Sequence, residues 1–159
     1  MNQTITHQLN HRTIREFKKE KLDDQTIQTL LKVANASATS NGMQSYSIRV
    51  ESQILKDALA ENGQQAYMAQ APHLWIFIAD LHRNYSIARE NGVENDLMIG
   101  FDKFIQAFTD AIIAAQNVVN AAESMGLGTN YFGNIHNDTA HVIDLSLIHI
   151  SEPTRLLSI

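Results

Sequence analysis

The segment from Asp96 to Met125 carries the longest helical pattern in the chain, and its second half constrains everything built around it. Across Ala111–Ala122, "AIIAAQNVVNAA", nearly every position is apolar or small. A helix with no polar face has to be covered on every side. A chain of 159 residues has little material for that, so a dimer interface is the expected use of this helix. Gly126 and Gly128 are placed to close it as a C-terminal cap.

The remaining elements follow from periodicity. "ITHQLN" reads as a short helix leading into "HRTIREF". A second helix begins at Asp23 or Asp24, either of which can cap it. Ile27, Leu30, Leu31 and Ala34 then fall at i, i+3, i+4 and i+7. "SATSNGM" is turn chemistry. "SYSIRVE" alternates as a half-buried strand, with Tyr46, Ile48 and Val50 on one face. Ser52 caps a helix through Leu59 that Gly63 ends. Leu74–Ala79 is an unbroken apolar run after Pro72, which predicts a central strand covered on both faces. "NYSIARENGVEND" reads as a polar, mobile excursion. "TNYFGN" reads as a short strand or close approach, and "NDTAHVIDL" as a capped helix.

Composition narrows the function classes. At 44% hydrophobic and 18% charged residues, the chain has the makeup of a globular domain. It contains no Cys, which removes a disulfide framework, a thiolate nucleophile and a Cys-ligated zinc, and is compatible with the cytoplasm. The opening residues are polar and lack an apolar signal core. No apolar run is long enough to span a bilayer, so no membrane association is expected. A net charge of -5 and the lack of a basic stripe count against nucleic acid as a partner.

Few motifs carry chemistry. His136 and His141 are five apart, which is not the spacing of a helical metal pair, so no metal is expected. Gly126 and Gly128 begin a G-x-G, but the third glycine of a dinucleotide fingerprint would fall at Tyr131, and these glycines end a helix. There is no G-x-S-x-G elbow for Ser-His-Asp catalysis, and no catalytic side chain is expected. His11, Arg12 and Arg15 form a cation cluster. Arg suits phosphate because its planar fork donates two parallel hydrogen bonds and keeps its charge. Spacing alone leaves two readings open, a solvated basic turn and an anion site.

The motifs taken together, "HRTIREF", "NASATSNGMQSYSIRV", "NGQQAYMAQAPHLWIFIADLHR" and "AAQNVVNAAESMGLGTNYFGNIHN", resemble in order the nitroreductase family, in particular its NADPH-linked flavin oxidoreductases. The resemblance covers roughly residues 3–145. It implies an α+β, α-β-α sandwich, a homodimer with the long helix at its interface, and FMN bound between subunits. It also implies NADPH as co-substrate and a small-molecule acceptor, whether nitroaromatic, quinone or free flavin. The H-R-[ST]-x-R segment maps the FMN phosphate onto His11, Arg12, Thr13 and Arg15, with Thr13 where Ser is usual. By the same resemblance Thr39 and Ser40 line the flavin, Gln65 and Tyr67 contact it, and Tyr131, Gly133 and Asn134 pass along the isoalloxazine. Core packing is the alternative role for Tyr67 and Tyr131.

The resemblance stops near Leu145. Residues 1–145 are expected to form a partial family domain with an incomplete C-terminus. Residues 146–159, "SLIHISEPTRLLSI", are expected to be a non-native or disordered tail. The alternative to an active enzyme is an inactive remnant that binds flavin or dimerises.

Overall fold

The computed structural model describes residues 2–50, 52–93 and 100–146. The expected tail, save Ser146, and the first residues of the long helical pattern lie outside them. The chain divides into two compact units, the first made of Met1–Thr13, Leu22–Arg49 and Trp75–Thr129, the second of Ile14–Lys21, Val50–Leu74 and Asn130–Ile159.

The first unit is organised by its longest helix. In chain order it contains α1 (Gln3–Leu9), α2 (Asp24–Asn35), all but the last residue of strand β1 (Tyr46–Val50), strand β2 (Trp75–Ala79), α5 (His82–Glu90) and α6 (Phe101–Ser124). Asp23 caps α2 by accepting the Thr26 N–H at 2.6 Å. The stripe expected on α2 turns Leu30 and Ala34 into the core, where they meet Tyr46, Ala111, Ala114, Val118 and Ala122. α6 packs against α1, α2 and β2. Its alanines let these neighbours approach closely, and Ala107 and Ala114 are 0% exposed. Within the all-apolar half of α6, Ala111, Ala114, Ala115, Val118 and Ala122 are buried by the chain itself, while Ile112 and Ile113 stay 50% and 37% exposed. The exposed face of α6 runs as a stripe through Phe101, Phe104, Ile105, Phe108 and Ile112, at i, i+3, i+4, i+7 and i+11. Its rings stack in series, Phe101 on Phe104 at 6.3 Å and Phe104 on Phe108 at 6.0 Å between centroids.

α6 ends as expected at Gly126, whose φ of 80° is open to glycine at little cost. The Leu127 N–H donates back to the Ala122 carbonyl at 3.0 Å, which satisfies one of the last helical acceptors.

Two expectations fail in this unit. β2 pairs only with β1 among the described residues, and all five of its residues are half-buried, so it is not a covered central strand here. The Asp80 N–H donates to the Ser45 carbonyl at 3.0 Å, which sets the end of β2 beside the start of β1, the register of an antiparallel pair. The second failure is the polar excursion, most of which is α5. Leu81, Asn84, Tyr85 and Ala88 recur at helical spacing and are half-buried. The Asp80 carboxylate accepts the Arg83 N–H at 3.3 Å, and the Arg89 guanidinium lies 5.9 Å from the Tyr85 ring centroid. High polarity hid a period carried by only a few apolar residues, Leu81, Tyr85 and Ala88.

The second unit contains α3 (Gln53–Asn62), the short α4 (Tyr67–Gln70) and α7 (Thr139–Ser146). Ser52 caps α3 through the Leu55 N–H at 3.4 Å, and Asp138 receives the His141 N–H at 3.0 Å at the start of α7. α3 packs against α4 and α7. Lys56 is buried on α3, with its ammonium donating to the carbonyls of Ala71 at 2.7 Å and Pro72 at 3.3 Å. Burial, with Lys21 nearby, pulls its pKa below the ordinary lysine value. Burial first, then the charges of Lys56 and Lys21, pulls His73 down as well.

Gly63 does more than end α3. A Cβ there would lie 2.5 Å from the Phe132 ring tip, 3.2 Å from Asn134 Cβ and 3.2 Å from the Leu59 carbonyl. Its φ is ordinary, so the need for glycine is steric. Gly63→Ala should lose about 1–3 kcal/mol by overpacking. Urea unfolding checks this, and an unchanged midpoint would show that the 132–134 segment is not held against α3.

Candidate functional site

The residues expected at the flavin fall into both units. The first unit holds His11, Arg12, Thr13, Thr39 and Ser40, and the second holds Arg15, Gln65, Tyr67, Tyr131, Gly133 and Asn134.

In the first unit the "HRT" segment leaves α1 and is tied to the C-terminal end of α6. Glu123 Oε1 lies 2.7 Å from His11 Nδ1 and accepts the Thr129 hydroxyl at 2.7 Å. A carboxylate can only accept, so Nδ1 carries the proton in this contact. Thr13 forms a parallel bridge with Thr129. This single bridge is all that the expected strand at 129–134 amounts to. Three backbone and side-chain links thus order the segment while leaving Arg12 exposed. Among the described residues its guanidinium has no acidic partner. Arg15, in the second unit, is exposed in the same way.

The turn carrying Thr39 and Ser40 is anchored further along the same helix. Asp110, 1% exposed, accepts the Ser40 N–H at 2.9 Å and the Ser45 N–H at 3.2 Å. Burial, and then the Asp110 charge, push the neighbouring Tyr46 phenol above its ordinary pKa, although Arg83 opposes this. That phenol donates to the Ala34 carbonyl at 2.8 Å, so it serves packing. Asp110 and Glu123 are thirteen positions apart, which at 1.5 Å per residue sets the two anchors about 20 Å apart along α6.

In the second unit the expected residues gather at the C-terminal end of α3. The Asn134 amide donates to the Gly63 carbonyl at 2.9 Å, and the Tyr67 hydroxyl donates to Gln65 Oε1. Gln64 turns the chain between them with φ 53°. Tyr131 is 57% exposed, which excludes core packing for it, whereas Tyr67 is half-buried. A Cβ on Gly133 would meet nothing within 4 Å, so the backbone there faces open space. Asn130 Nδ2, one residue before Tyr131, is buried with no hydrogen-bond partner among the described residues.

Sequence reasoning passed over Asp110, Glu123 and Asn84. Asp110 did leave a signal, an isolated acid inside an apolar helical run. Glu123 and Asn84 left none, because each acts on residues remote in the chain.

An α+β domain with an Arg-bearing segment and a hydroxyl-bearing turn hung from one long helix defines the class. The sequence model of the Nitroreductase family matches residues 9–152, and the chain belongs to that family. It is 40% identical over 148 residues to the FMN reductase (NADPH) of Bacillus subtilis, a match covering 91% of this chain and 59% of that protein. The NfrA1 nitroreductase structure from B. subtilis superposes with a TM-score of 0.86 at 39% identity, covering 91% of this chain and 60% of that one. The NADPH:FMN oxidoreductase of Vibrio harveyi, solved with NAD+, gives 0.82 at 33% identity, covering 92% and 63%. The nitroreductase-like fold is thereby shown. The chain spans about three fifths of the length of these relatives.

Proposed function

We propose that this chain carries the FMN-binding part of an NAD(P)H-dependent oxidoreductase that reduces nitroaromatics, quinones or free flavin. The observation that carries the reading is the pair of exposed guanidinia, Arg12 and Arg15, without acidic partners among the described residues. In a chain of net charge -5, two cations left unneutralised beside an ordered segment suit a phosphomonoester.

The donors present fit FMN. Arg12 and Arg15 would take the phosphate, with the Thr13 hydroxyl and His11 Nε2 beside them, since His11 Nδ1 is committed to Glu123. Thr39 and Ser40 would offer hydroxyls, and Gln65 and Tyr67 a coupled amide and phenol. Tyr131, Gly133 and Asn134 would present backbone and, at Gly133, free space to a flat ring. Bound there, FMN would supply two-electron hydride transfer between NADPH and the acceptor, chemistry that belongs to the cofactor. The chain's part is to bind and orient.

The exposed Phe101–Ile112 stripe supports a homodimer. A stripe of this size, left bare on a helix, is the kind of surface that marks a partner site. No helix among the described residues is long and apolar enough to cross a membrane. The compartment we propose is the cytoplasm. We place the domain in residues 1–145 and treat 146–159 as an appendage, which limited proteolysis should remove first.

The test is direct. Purified protein incubated with FMN should retain a yellow chromophore through gel filtration and release FMN on heating. NADPH oxidation with a quinone acceptor then separates an enzyme from a flavin-binding remnant. A colourless protein that does not quench FMN fluorescence would sink the proposal.

A further inference from the structure

We propose that Asp110 is a positioning residue for the flavin: its buried carboxylate clamps the Thr39–Ser45 turn in a strained shape that presents the Thr39 and Ser40 hydroxyls. The inference rests on the FMN reading above and assigns a role to a residue outside the expected site.

The burial of Asp110 needs a reason. It is 1% exposed on the packed face of α6, with Ala107 and Ala114 beside it at 0%, and among the described residues it has no ion-pair partner. A buried carboxylate without a countercharge is costly unless its oxygens are hydrogen-bonded. Here each oxygen takes one backbone N–H, Oδ1 from Ser40 and Oδ2 from Ser45. For packing alone, a small apolar residue would continue the face. The carboxylate serves the turn.

That turn would not hold its shape by itself. Asn41, Gly42 and Gln44 have φ of 53°, 68° and 47°. Asn41 enters the left-handed region readily, but Gln44, with its long side chain, persists there only where surrounding contacts over-determine it. Asp110 brackets these residues at positions 40 and 45. From the other side the Asn84 amide donates to the Met43 carbonyl at 3.1 Å and to Ser45 Oγ at 2.8 Å. The Gln44 side chain donates to the Asn35 carbonyl at 3.3 Å, and the Gln44 N–H donates to Thr39 Oγ1 at 3.3 Å. With Thr39 Oγ1 accepting and the Ser40 N–H committed to Asp110, the hydroxyl protons of both residues remain for the turn to offer a ligand. Such over-determination of an otherwise ordinary connection points to a ligand-facing role.

The experiment compares the unmodified chain with Asp110→Asn and Asn84→Ala. Asp110→Asn keeps the size and one acceptor but sets an amide donor against the second backbone N–H. Asn84→Ala loosens the turn with Asp110 intact, and so decides the matter if Asp110→Asn does not fold. Two quantities are read: amide hydrogen exchange across 39–45 without added flavin, and the Kd for FMN and for riboflavin by fluorescence quenching. Asp110→Asn should speed exchange at Ser40 or Ser45 and weaken both flavins by the same factor, about tenfold for one lost charge-assisted hydrogen bond. Asn84→Ala should do the same to a lesser degree. A turn that loosens while both affinities stay at the parent value overturns the positioning role, as does unchanged exchange or a loss confined to FMN. A parent chain that binds neither flavin overturns the FMN reading and this inference together. The exchange arm then still shows whether Asp110 holds the turn.

Discussion

Ala114→Arg should abolish the cooperative unfolding transition, whereas Phe104→Asp combined with Phe108→Asp should leave that transition in place and convert the proposed dimer to monomers. Ala114 is fully buried where α6 meets the core of its own unit. An arginine there must both overpack the site and bury an unpaired charge. The expected loss exceeds about 4 kcal/mol, against a total stability of about 5–15 kcal/mol for a domain. Phe104 and Phe108 lie on the exposed stripe of the same helix, 47% and 49% accessible. In a two-fold interface each substitution counts twice. Full burial of a phenylalanine is worth about 1.5–3 kcal/mol. With half of each ring already covered, four side chains amount to about 3–6 kcal/mol, a large share of the roughly 8 kcal/mol that holds a micromolar dimer. Sedimentation velocity and circular dichroism separate the outcomes. A double variant that still sediments as the parent does would remove α6 from the interface.

Arg12→Ala or Arg15→Ala should weaken FMN while leaving riboflavin nearly untouched. A hydrogen bond to a charged group is worth about 1.5–3 kcal/mol, a factor of about 10 to 150 in Kd. Riboflavin lacks the phosphate and so reports on everything except that contact. The contrast between the two ligands is the measurement that matters. Equal losses for both would show that the guanidinia shape the site and do not grip phosphate. Both variants should fold normally, because neither side chain has an acidic partner to lose among the described residues.

The local features of this chain were legible in its sequence. Asp23 and Ser52 cap the helices they precede, the Leu30–Ala34 stripe faces the core, and Gly126 ends α6. Each of these is decided within a few residues by hydrogen bonding and periodicity, which are properties of the chain itself. The family, and with it a set of candidate ligands for FMN, was legible from the order of several short motifs. α5 was missed because its period rests on few apolar residues in a polar segment.

Only the tertiary structure decided which face of α6 is spent on the core. Composition shows an apolar helix, but α2 and β2 arrive from elsewhere in the chain to cover Ala111, Ala114, Val118 and Ala122, and leave the stripe from Phe101 to Ile112 bare. The same holds for the two acids on that helix. Asp110 reaches Ser40 and Ser45 across 70 and 65 positions, and Glu123 reaches His11 across 112. No local pattern encodes such pairings, because a carboxylate accepts whatever donor the folded chain brings to it. The sequence alone determined where α2 and α3 start and where α6 stops. The folded chain determined which residues hold the candidate ligand-binding segments in place.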